Sequence, residues 1–214
     1  MVRARICFFA VLTAAFMLCS AFRASAWELI DVQTHENWAS CILSSPGEAV
    51  VRMLTEDDGT LLALDMYPDR SGKTRGSWQL KLVETVLPED RKALDALLPR
   101  SLSGQMRVDR QATHDVLFHF SLEEDLLVIR VAGQFHSSFI KEAKKGSVVR
   151  MKMGDDSDAI YAGFSLRGFT AALNRCLELM ELVDSLSPPH SDFFDEPEAP
   201  RPSSRRGGHE AYFL

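Results

Sequence analysis

The chain reads as an α+β fold: a mostly antiparallel β-sheet or sandwich with a C-terminal helix packed on it and one or two short helices. Three observations predict this. Residues 160–166 alternate as a strand and run straight into 169–186, where Ala172, Leu173, Cys176, Leu177, Met180 and Val183 recur at three- and four-residue steps on one helical face. Residues 49–55 and 60–67 flank Glu56-Asp57-Asp58-Gly59, and Asp-Gly is a favoured pair for a two-residue turn because both central positions need positive φ. Between these, short runs of period-two alternation are separated by turn residues.

The elements follow in order. Arg3 and Arg5 precede an apolar run, residues 6–22, and Ala24-Ser25-Ala26 supplies the small residues a signal peptidase accepts, so 1–26 is expected to be a signal peptide and Trp27 the first mature residue. Arg23 interrupts the run, which is too short for a retained span, so no membrane span is expected after signal removal. Residues 27–33 and 38–43 read as two short strands, 67–76 as a polar loop and 78–83 as a further strand. Pro88-Glu89-Asp90 starts a short helix whose apolar side is Ala93, Leu94, Leu97 and Leu98. Residues 106–110, 116–121 and 125–131 resemble strands, Ser137 or Ser138 caps a short helix that ends at Gly146, and 148–153 with 160–166 form a last hairpin. Gly168 allows the turn from strand to helix. From 187 the sequence shifts to proline, serine and charge without period, which predicts a disordered tail, 187–214, after one β-rich domain, 27–186.

Removing Arg3, Arg5 and Arg23 from the 24 basic residues, against 30 acidic ones, leaves a net charge of −9, which argues against nucleic acid as a partner. Export would also remove Cys7 and Cys19, leaving Cys41 and Cys176. Two cysteines in an oxidising compartment are expected to form one disulfide that ties the first hairpin to the final helix.

No catalytic constellation is legible. His114-Asp115 is an adjacent pair, but neighbours in a strand point to opposite sides. His119 alternates in phase with Leu117 and Ser121, which places it on the exposed side, and His136 lies at a helix entry. Asp155, Asp156 and Asp158 lack the later donors of a calcium loop, and no nucleophile elbow, phosphate loop, HExxH or CxxC occurs. No catalytic, cofactor-binding or metal-binding residue is therefore assigned. A hydrolase or ligand-processing enzyme with an unfamiliar site is the competing class, and a cleft gathering His114, His119 or His136 with acids would mark it.

The closing motif Phe164, Ser165, Leu166, Gly168, Phe169, Ala171, Ala172 and Leu173, together with Trp27 and Cys41 at the front, resembles the small periplasmic proteins of alphaproteobacteria related to the invasion-associated locus B family. The additional cysteine pair of the better-known members is missing here. The resemblance implies an exported, β-rich, non-enzymatic accessory protein, periplasmic or secreted and linked to the envelope or to host interaction, with an unidentified protein or envelope component as partner, no cofactor, and no catalytic residues to carry over.

Overall fold

The computed structural model describes residues 27–46, 48–68, 77–133, 136–155 and 157–186; the expected signal peptide and tail, and most of the expected loop at 67–76, lie outside them. Ten strands form one antiparallel sheet: β1 (Glu28–His35), β2 (Trp38–Ser45), β3 (Glu48–Asp57), β4 (Thr60–Met66), β5 (Trp78–Thr85), β6 (Arg100–Val108), β7 (His114–Glu123), β8 (Leu126–Ala132), β9 (Val148–Met153) and β10 (Ile160–Ser165). Among the described residues, three helices complete the α+β fold, α1 (Pro88–Leu97), α2 (His136–Ala143) and α3 (Phe169–Leu186).

The spatial order is β1-β2-β3-β4-β5-β8-β7-β6-β9-β10. Two meanders, β1 to β5 and β6 to β8, meet where β5 pairs with β8, with Leu82 opposite Ile129. The link from β5 to β6 contains α1, and the link from β8 to β9 contains α2. Antiparallel neighbours need only short turns. Asp57 pairs with Thr60, so Asp58 and Gly59 make the β3–β4 turn, both at positive φ as the sequence demands.

One face of the sheet carries the main core. Val51, Met53, Leu62, Leu64, Met66, Leu80 and Leu82 from the first meander join Met106, Phe118 and Phe120 from the second and Val149, Met151 and Phe164 from β9 and β10. The C-terminal helix lies on this same face, against β1, β2 and β3. Its buried stripe is Phe169, Ala172, Leu173, Cys176, Leu179 and Val183. The expected stripe included Leu177, which is instead 40 % exposed, while Leu179 is fully buried; at 100° per residue the 169-172-176-179-183 line runs more nearly parallel to the helix axis than one through 177.

Two other expectations change. The apolar side assigned to α1 is not docked: the helix buries no residue and Leu97 is 60 % exposed. Strand β6 begins at Arg100, well before the expected 106. Its first half, with Ser101, Ser103 and Gln105 exposed, has one solvated face and too few apolar positions to read as a strand.

Candidate functional site

The residues of the closing motif are structural. Phe164, Leu166, Phe169, Ala172 and Leu173 are all buried in the main core. Phe169 meets Trp38 edge to face with ring centroids 5.1 Å apart, and Trp38 Nε1 donates to the Ser165 carbonyl at 2.8 Å, so the motif closes the end of the chain onto the start of β2. Gly168 has φ +89°, and a Cβ there would lie 1.8 Å from the His35 carbonyl oxygen. No other residue fits this turn.

The expected disulfide is not seen in the structure. Cys41 and Cys176 are both buried, but their sulfurs are not bonded to each other. The reason is strand phase. Trp38 and Ile42 point into the main core with Cys176, whereas Cys41 shares the opposite face of β2 with Ala39. The backbone of β2 therefore stands between the two thiols. Burial, then the nearby Cys41, pushes the Cys176 thiol up to about 12, which leaves it protonated and inert.

The histidines are not gathered. His114 and His119 lie on opposite faces of β7, being five residues apart. His114 Nε2 is 2.9 Å from Glu142 Oε2 on α2, and His119, exposed as expected, meets Ser101 Oγ at 2.7 Å through Nδ1. The side chain of His136 is outside the described residues. Among those residues no group of three histidine, cysteine or acidic side chains is arranged to hold a metal ion.

Sequence reasoning missed a buried ion network on the outer face of the first meander. Arg52 on β3 grips Asp65 on β4 with two bonds, Nε to Oδ1 at 2.6 Å and Nη2 to Oδ2 at 2.9 Å, and Lys81 Nζ on β5 lies 2.8 Å from Oδ2. Asp65 is 1 % exposed and Arg52 7 %. Burial alone would raise the Asp65 pKa, but the two cations outweigh it and hold the carboxyl below its ordinary value. Burial and the Arg52 charge together depress Lys81. Burial, followed by the Asp65 charge, raises neighbouring Tyr67. The signal was present in the sequence: single charges inside the apolar runs VVRML, LLALDM and LKLV, with Arg52 directly opposite Asp65 once the strands pair and Lys81 diagonal to it. Such a buried network ties three strands together.

The second meander and β9 are different. Their outer face is solvated and carries a broad groove of about 680 Å³ lined by Ser103, Gln105, Asp115, Leu117, Lys152 and Asp155 among others. Gln105 Nε2 donates to Asp115 Oδ1 at 3.2 Å across the β6–β7 pair. Beside the groove, Arg107 and Arg150 face each other directly across β6 and β9, both exposed. Like charges placed opposite in a sheet are unfavourable. This face offers donors, acceptors and both signs of charge over an open surface, which suits non-covalent recognition of a polar ligand.

No protein-family description, no curated protein and no solved structure matches this chain.

Proposed function

We propose that this chain is an exported, non-enzymatic binding or accessory protein of the bacterial envelope, acting through the outer face of β7, β6 and β9. The observation that carries this reading is the open polar groove beside two exposed arginines. Export rests on the basic, apolar and Ala-Ser-Ala pattern of residues 1–26. The closing motif's resemblance to the proteins related to the invasion-associated locus B family supports an envelope or host-interaction role in the periplasm or outside the cell. Affinity capture from an envelope fraction tests the reading. The chain should retain a specific component, and Asp115→Lys should lose it without changing the thermal midpoint, whereas capture indifferent to the groove would remove the reading's basis.

The competing reading, a periplasmic hydrolase, draws on one pair, His114 with Glu142. That reading requires turnover of a chromogenic ester or glycoside that disappears in His114→Ala, and the binding reading requires none.

A further inference from the structure

The two edges of the sheet are built differently. The β1 edge is blunted: its pairing with β2 shifts register between Ile30 and Gln33, Asp31 sits at φ 52°, and Glu28 and Asp31 put charge on it. Arg175 from α3 also reaches Asp31, with Nη2 2.5 Å from Oδ2. Bulges and charges are the usual means by which a free edge is kept from pairing.

The β10 edge has none of these. Its register with β9 is unbroken from Ile160↔Met153 to Ser165↔Val148, and IYAGFS contains neither charge nor proline. Among the described residues, Trp38 caps the Ser165 carbonyl, and β10 also approaches β3 with Phe164 buried, so the exposed stretch of this margin is its start, at Ile160 and Tyr161. Ile160 and Tyr161 are 55 % and 69 % exposed, large apolar side chains at a strand margin. Natural sheets seldom leave such a margin open unless a strand is added there.

The chemistry of the added strand can be read from the outer face. Tyr161 and Gly163 point to the same side as Lys152 and Arg150, their partners on β9, and Arg107 stands behind Arg150 on β6. Strands are spaced at about 4.8 Å, so an added strand lies roughly 10 Å from β9. Arg150 can span much of that distance only because the intervening position is Gly163, with no side chain in the way. A carboxylate on the added strand opposite Gly163 would meet Arg150 and relieve its unfavourable juxtaposition with Arg107.

We infer that β10 is a docking edge for an extended, acidic peptide segment of a partner protein, held by main-chain bonds to residues 160–163, by apolar contact with Ile160 and Tyr161, and by carboxylates over Arg150 and Arg107. The inference deepens the binding reading above.

The test uses the purified full chain and a fluorescent peptide of alternating threonine and glutamate, with a threonine–lysine peptide as control. The acidic peptide should bind, more weakly as salt rises, and slow amide exchange at 160–163. The double substitution Arg107→Glu/Arg150→Glu should weaken binding by about tenfold or more. Gly163→Glu should do the same while folding normally, since a Cβ there meets nothing nearer than the Val149 carbonyl oxygen at 3.8 Å. Equal binding of the basic peptide, indifference to the arginine substitutions, or binding without protection of 160–163 would each overturn the proposal. So would two other occupants: residues 187–214, if deleting them is what allows the peptide to bind, or a second copy, if the chain sediments as a dimer that the peptide dissociates. Failure here with groove-dependent capture of an envelope component intact would leave the binding reading standing; loss of that capture as well would remove both.

Discussion

The strands β2 to β5 and the strands β6, β7, β9 and β10 belong to one sheet but solve different problems. In the first group both faces are buried: β3 and β4 show unbroken burial over Val51–Thr55 and Leu61–Met66, with a second apolar cluster of Ala39, Leu54, Ala63 and Val83 behind the main core. In the second group burial alternates, as in β7 where Val116, Phe118 and Phe120 are inside and Asp115, Leu117 and His119 outside. Charge on the outer face is consequently locked in one half and exposed in the other. The same side-chain types, arginine and aspartate, are structural in Arg52 and Asp65 and available for recognition in Arg107, Arg150 and Asp115.

This contrast can be broken most severely through Arg52. Arg52→Ala removes the bidentate partner of Asp65 and opens a hole in β3, and removing one member of a buried pair costs about 3–5 kcal/mol, to be read by urea denaturation; Arg107→Ala in the other half should cost under about 0.5 kcal/mol. Next in size is the helix register. Leu179→Ala should destabilise by about 2–5 kcal/mol and Leu177→Ala by far less, and equal losses would put the stripe back where the bare periodicity had it.

The acid limb of stability should also differ. Asp65 has a depressed folded pKa, so its contribution is fully present above its ordinary value of 3.8 and is lost as pH falls below that value toward the folded one. Between those limits the unfolded chain binds the proton that the folded chain refuses. The midpoint of Asp65→Asn should therefore depend less on pH in this range than that of the unaltered protein. The smallest effect is on the thiols. Both cysteines should resist alkylation in the folded chain and react fully in denaturant without reductant, by intact mass; a requirement for reductant would restore a bond that the phase of β2 opposes.

Legibility in the sequence follows the same division. The Asp58-Gly59 turn, the Gly168 turn and the outward phase of His119 could be read because each is set by local backbone geometry or by clean alternation. The β5–β8 seam could not, since it joins strands far apart in sequence and no local signal names the partner. Strand β6 was half hidden, because its exposed face makes residues 100–105 look like loop. The phase of β2 was readable in principle: with Trp38 inside, Cys41 at an odd offset must point the other way, but the run WASCIL is buried on both sides and shows no alternation to fix it. The Arg52–Asp65–Lys81 network needed the pairing of three strands before its scattered charges became one group. The open β10 edge is a property of the sheet order and appears in no residue pattern at all.

The most direct test of the division places the same isosteric change on the outer face of each half. Thermal midpoints of Asp65→Asn and Asp115→Asn should be measured side by side. The first should show a large drop, since two buried cations lose their counterion, and the second a midpoint within error of the unaltered protein, since its carboxylate is solvated. Comparable drops in both, or none in either, would contradict the division.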